Sequence, residues 1–182
     1  MRKNQKGFSL IELLIVVAII LIIAAIAIPN LLRSRMAANE ASAVGSLKTI
    51  NTASVGYNTT YGVGFPPALA NLGGDPTIAA TCGLSELIDP VLAGTNPATA
   101  NPQKSGYTFT YFPGAVASTV PAGSTCAPGW ADGYSVTAVP ISVGTTGQRS
   151  FCTDGSGVIR YDVTGAPPAP AAGLCPNGMN PM

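Results

Sequence analysis

Histidine is absent from the 182 residues. Its absence removes the usual general base, the usual switch near neutral pH and the commonest metal ligand. Charge is scarce too: Asp, Glu, Lys and Arg together make up 9% of the chain, at a net +1. Beyond residue 7 the bases are scattered at Arg33, Arg35, Lys48, Lys104, Arg149 and Arg160, with no basic patch. No specific nucleic-acid site is expected from such a distribution. No CxxC pair occurs, so a zinc site is not expected, nor any other metal or cofactor. Neither a nucleophile elbow nor a phosphate-binding loop is present. The acids are few and spread out, which leaves general acid–base chemistry without a pair to work with. These absences argue against an enzyme.

What the chain does have is hydrophobicity, with a mean hydropathy of +0.35. Much of it sits in the first 32 residues. Phe8 to Ile28 is a run in which Ser9 and Glu12 are the only polar residues, and no glycine follows position 7. A span of about 20 apolar residues crosses a bilayer as one helix. Arg2, Lys3 and Lys6 precede it, an asymmetry that keeps the N-terminal end in the cytoplasm. A carboxylate at membrane depth is costly, so Glu12 marks a functional position that needs a partner.

An ordinary cleaved secretory signal is the plainer alternative, and Ala25-Ile26-Ala27 fits its small-x-small cleavage pattern. Three features oppose it. The apolar run is long for a signal core, Glu12 lies inside it, and the chain past Pro29 continues as an amphipathic helix. A plain signal anchor explains the length but not the acid.

Gly7-Phe8-Ser9-Leu10-Ile11-Glu12-Leu13 resembles the prepilin processing site of type IV pilins and type II secretion pseudopilins. The basic stretch Met1 to Gly7 is similar to their leader peptide. The resemblance implies that a prepilin peptidase/methyltransferase cuts between Gly7 and Phe8 and methylates the new N-terminus at Phe8. Glu12 then occupies the family's acidic fifth position, and Pro29 falls where the family places a helix-kinking proline. Processing removes three of the nine bases, leaving six against eight acids, so the mature side chains sum to −2.

Cleavage also suggests a partner for Glu12. It creates an ammonium at Phe8, and a neighbouring subunit's Phe8 ammonium can pair with Glu12 inside a filament. An unpaired carboxylate there costs on the order of 3 kcal/mol on insertion scales. Such a pair also sets axial register. A local pair between Glu12 and its own amine, four residues apart on one helix face, is the competing arrangement.

Pro29 lacks an N–H and is expected to kink the helix. Helix-forming sequence resumes at Asn30 and runs to about Tyr57. Leu32, Met36, Ala43, Leu47, Ile50 and Ser54 form one stripe, with Asn39, Glu40, Lys48 and Asn51 largely off it. Phe8 to Tyr57 is 50 residues, roughly 75 Å if fully helical; the stripe is expected to pack on a sheet, and the exposed apolar half before Pro29 is stable only in lipid or against other such helices.

Strands are expected at Tyr107–Tyr111 and Tyr134–Val139, and on both sides of the turn Asp154-Gly155-Ser156-Gly157. The stretch 75–102 reads as loop, with one helical turn within Ser85–Leu92. Glu86 and Asp89 are too few for a cation site. Asp154-Gly-Ser-Gly resembles a fragment of a calcium loop but lacks flanking carboxylates, so the turn reading prevails. Asn58-Thr59-Thr60 fits a glycosylation sequon by chance. The tail from Gly165 is proline-rich and irregular.

Cys82, Cys126, Cys152 and Cys175 are an even set in a chain with an export segment, which reads as two disulfides in an oxidising compartment. Three pairings exist. Sequential pairing, Cys82–Cys126 and Cys152–Cys175, staples two neighbouring loops and is favoured over free buried thiols.

The expected fold is α+β and pilin-like: a long N-terminal helix, kinked near Pro29, packed on an antiparallel head of about four strands. Residues 1–7 form the leader, 8–29 the membrane and filament-core helix, 30–57 the amphipathic helix and 58–182 the head. The resemblance implies a homo-oligomeric helical filament, assembled from the inner membrane with an assembly platform and minor pilins. Phe8, Glu12 and Pro29 are the assembly residues. The precursor is expected in the inner membrane with a cytoplasmic leader, and the product in an extracellular pilus. A type II secretion pseudopilin is the alternative within the family. A membrane-anchored periplasmic enzyme or binding module is the alternative outside it, disfavoured by Glu12 and the missing catalytic groups. Conduction through stacked aromatics is a further reading, but at 7% aromatics core packing explains them better.

Overall fold

The computed structural model describes residues 8–74, 77, 79–95, 98–116, 126 and 129–182. Residues 1–7, the expected leader with Gly7, lie outside the described residues. The chain divides into two compact units, Met1–Arg35 and Met36–Met182. Helix α1, Leu10–Tyr61, supplies all the regular structure of the first unit and opens the second.

In the first unit α1 is made almost wholly of Leu, Ile, Val and Ala. β-branched residues are only mildly unfavourable in helices, and no glycine interrupts the run. Helical assignment continues through Pro29, whose missing N–H leaves one carbonyl without its intrahelical donor. The large aliphatic side chains here are exposed, from Leu10 at 79% through Ile20 at 57% to Ile28 at 57%.

The second unit is where α1 buries a face. Ala43, Leu47, Ile50, Ser54 and Tyr57 are buried, whereas Leu32 at the head of the expected stripe is exposed. α1 also runs past Tyr57 to Tyr61, through Asn58-Thr59-Thr60. It stops at Gly62, whose φ of 65° is the left-handed C-terminal conformation and whose N–H donates to Asn58 O at 2.9 Å.

The sheet has six strands, not four, in the order β1 to β6, all neighbours antiparallel. They are β1 Gln103–Lys104, β2 Tyr107–Pro113, β3 Tyr134–Pro140, β4 Ser150–Asp154, β5 Ile159–Asp162 and β6 Asn180–Pro181. The extra strands, β1 and β6, are two residues each and too short to show alternation. β1 and β2 join through Ser105-Gly106, both at positive φ, as a tight hairpin requires. Tyr107, Phe109, Tyr134, Val136, Ala138, Phe151 and Ile159 project from one face and form a single core with Ala43, Leu47, Ile50 and Tyr57 of α1.

The opposite face is covered by the tail. Cys152, Cys175 and Met179 form a second buried cluster, closed by the Cys152–Cys175 disulfide. That is why β4 is buried along its whole length instead of alternating. The Cys82–Cys126 disulfide closes the other long connection. The Asp154 carboxylate accepts from the Ser156 N–H at 3.0 Å and the Cys175 N–H at 3.2 Å, tying the β4–β5 turn to the tail. Burial opposes its charge, but these bonds prevail and hold it below the usual carboxylate range.

In the region expected to hold one helical turn the structure forms the four-residue helix α2, Pro90–Ala93, and a 3-10 turn, Leu69–Leu72, lies ahead of that region. Asp89 caps α2 through Leu92 N–H at 3.0 Å and pairs with Lys104 at 2.9 Å.

Glu40 is the largest departure from the stripe. It is buried at 8% exposure, although the periodicity leaves it off the packed face. Its carboxylate accepts from Gln148 N–H (2.9 Å), Arg149 N–H (3.2 Å) and Arg149 Nε (2.8 Å), and Arg149 Nη2 lies 2.7 Å away. The guanidinium in turn sits over the rings of Phe151 and Tyr161. Burial alone raises the Glu40 carboxyl, but the Gln148 amide and Arg149 outweigh it, and the net shift is downward. A lowered folded-state value means stabilisation that is complete above the ordinary carboxylate range and lost as pH falls through the depressed value. Glu40→Ala strands an arginine and two backbone donors. Arg149 is partly exposed, so the expected loss is about 2 kcal/mol instead of the full cost of breaking a buried pair. Urea unfolding of Glu40→Gln at stepped pH should show a flatter acid limb than the parent, and an unchanged limb would remove Glu40 from the account.

Candidate functional site

Of the residues singled out from sequence, the N-terminal segment places Phe8 just ahead of α1, Glu12 in its first turn and Pro29 well along it. Phe8 is 80% exposed and precedes α1 in non-helical backbone. Ser9 is the N-cap position, with Leu10, Ile11 and Glu12 as the first three helical residues. The Ser9 N–H donates to Glu12 Oε2 at 2.9 Å, and Leu13 N–H donates to Ser9 O at 3.3 Å. Glu12 thus closes one half of a capping box at N3 and carries negative charge at the positive end of the helix dipole.

This local partner is one that the sequence reading missed. The local arrangement expected from sequence pairs Glu12 with its own amine. In the full chain the Phe8 nitrogen belongs to the Gly7–Phe8 peptide bond and carries no charge. The Ser9 amide satisfies the carboxylate without any ammonium. Ser-x-x-Glu ahead of an apolar run is the signal that finds it.

Pro29 lies in the same unit, exposed within α1. Among the described residues one helix is long and apolar enough to cross a membrane: α1 contains an 18-residue window of mean hydropathy 3.3, none of it buried. The four cysteines are far along the chain in the second unit and serve its fold. Among the described residues no cluster of three or more acids and cysteines can hold a metal ion. An open cavity of about 500 Å³ is lined by Asp132, Asp154, Ser156 and Arg160 among others. Asp154 is already committed to the turn and the tail there.

Comparison with known proteins agrees with the segment's chemistry. Residues 2–28 match the family model described as the prokaryotic N-terminal methylation motif. The type IV wide pilus major component PilA4 of Thermus thermophilus is 66% identical over 38 residues, covering 21% of this chain and 29% of that protein. The type IV major pilin protein PilA of Myxococcus xanthus is 36% identical over 109 residues, covering 54% of this chain and 50% of that protein. The chain therefore spans half or less of the length of these curated relatives. No solved structure matches. The chain thus joins a prokaryotic N-terminal methylation motif to a pilin-like α+β fold, and it is similar to type IV pilins.

Proposed function

We propose that this chain is the structural subunit of a type IV pilus, a building block and not an enzyme. The precursor lies in the inner membrane with its leader in the cytoplasm. A prepilin peptidase/methyltransferase cuts after Gly7 and methylates Phe8, and the assembly platform draws the subunit into an extracellular filament. Minor pilins are its expected companions. The apolar half of α1 leaves lipid only to enter the filament core, packed against copies of itself.

The observation that carries this reading is Glu12, one carboxylate at the head of an exposed, otherwise apolar helix, five residues past a cleavable glycine. Its bond to Ser9 supports a precursor in which the acid is satisfied before assembly. Cleavage then supplies a cation that a neighbour can bring to it. Similarity reaching beyond the N-terminal motif to a major pilin favours a pilus over a secretion pseudopilus. The rings of Tyr111, Tyr134 and Phe65 pack together inside the second unit, which favours a core role over conduction.

Negative-stain microscopy of sheared surface material, with mass identification, tests the proposal. Abundant long filaments made of this chain are expected. Sheared material without it, beside a secretion defect in cells lacking the chain, would favour the pseudopilin instead.

A further inference from the structure

One end of the second unit carries an apolar rim that the core does not use. Ile141, Val143 and Val163 are 51%, 49% and 57% exposed. Residues 141–148, Ile-Ser-Val-Gly-Thr-Thr-Gly-Gln, contain no charge. They belong to the β3–β4 connection, and Val163 follows β5. The two segments touch: a Cβ added at Gly165 would lie 2.8 Å from Gln148 O and 2.9 Å from Val143.

The same end is where the helix enters the unit. Asn39 Nδ2 donates to Thr146 O at 2.8 Å, Glu40 accepts from Gln148 N–H at 2.9 Å, and Ser42 Oγ donates to Ser105 Oγ at 2.9 Å. Ile141 N–H in turn donates to Gly106 O at 3.0 Å. The β1–β2 and β3–β4 turns therefore bond to residues 39–42, and the post-β5 turn packs on the β3–β4 connection. The opposite end carries the β4–β5 turn, where Asn51, further along α1, bonds to Thr153 at 2.8 Å.

Met36 is eight residues from Ile28, the last residue of the apolar run. Whatever path those residues take, they span at most about 28 Å. If the apolar run lies in a bilayer, this rim is held close to its surface at high effective concentration. Arg33 and Arg35 lie in that tether, and no acid occurs between Glu12 and Glu40, which suits anionic headgroups. Beside the rim Arg149 is paired with Glu40 and Lys104 with Asp89, while Asp162, next to Val163, keeps its charge and accepts a hydrogen bond from Thr164 N–H. Exposed aliphatic side chains, two of them on the uncharged turn 141–148, beside a tether that carries Arg33 and Arg35 fit the boundary of an anionic bilayer.

We propose that Ile141, Val143 and Val163 form a lipid-contact rim, on which the head of the precursor rests against the outer surface of the bilayer before assembly. The proposal rests on the membrane-precursor reading, and the test separates the two. Single tryptophans are placed in the full chain in a Trp130→Phe background and reconstituted in phosphatidylethanolamine/phosphatidylglycerol vesicles brominated near the headgroups. If Trp130→Phe fails to fold, the parent is kept and difference spectra are taken. Ile141→Trp and Val163→Trp are expected to lose intensity and shift to shorter wavelength. Val158→Trp, at the opposite end of the sheet, should do neither. Ile20→Trp reports insertion itself, read with bromines placed deeper in the chains. An inserted Ile20→Trp beside rim tryptophans that behave like Val158→Trp overturns the rim alone. Failure of Ile20→Trp overturns the membrane reading, and the rim with it. A rim tryptophan silent in vesicles but shifted in assembled filaments assigns the surface to a second copy and overturns the proposal.

Discussion

Glu12→Gln is expected to insert into the membrane normally and to build almost no filament. Glutamine at N3 still accepts a hydrogen bond from the Ser9 amide, so the capping box survives. What it loses is the charge. If assembly places Glu12 beside a neighbour's Phe8 ammonium, the mutant strands that cation in an apolar core. A buried charge without its partner costs on the order of 3 kcal/mol per subunit, about a hundredfold in each addition step. Glu12→Val removes the bond to the Ser9 amide as well, a further loss of about 0.5–1 kcal/mol at the helix start. Filament in the sheared fraction and precursor in the membrane fraction are measured together. Normal filament from Glu12→Gln but not from Glu12→Val would reassign Glu12 to capping alone. Normal filament from both would remove it from assembly.

The second large effect is expected from removing the Cys152–Cys175 disulfide. The bridge closes a separation of 23 residues, for which chain entropy alone gives about 3 kcal/mol. Cys152 is fully buried, and Cys175 and Met179 pack against it. Cys152→Ala/Cys175→Ala avoids burying new hydroxyls and isolates the crosslink. Its thermal midpoint should fall by roughly 10 °C. Limited proteolysis should now cut between Asp162 and Met182, because the tail covers the sheet's second face. A stable double mutant with a resistant tail would mean that the tail is held by packing and by the Asp154–Cys175 bond instead.

Sequence disclosed the site more fully than the head, for a physical reason. An acid in an apolar span is expensive wherever it occurs, so Glu12 stands out against every neighbour from Leu10 to Ile28. The Ser9 cap was legible by the same arithmetic but hidden, because Ser9 reads as a tolerated exception in an apolar run. β2 announced itself through alternating aromatic and threonine residues, and β3 through Tyr134, Val136 and Ala138 alternating with Ser135 and Thr137. β1 and β6 are Gln-Lys and Asn-Pro, pairs with no strand signature, and they exist because a neighbouring edge offers partners. Glu40 escaped for another reason: a stripe of apolar residues cannot register a buried carboxylate whose partner lies 109 residues away. The end of α1 was misplaced by four residues because Asn58, Thr59 and Thr60 are weak helix formers, and the true stop is Gly62.

The intact mass of the subunit from sheared filaments bears most directly on the account. A chain that begins at Phe8 and carries one added methyl is the expected result. A chain beginning at Ile28, or one that keeps Met1 to Gly7, would contradict it: without a free Phe8 ammonium beside an intact apolar helix, Glu12 has no partner to meet in a filament.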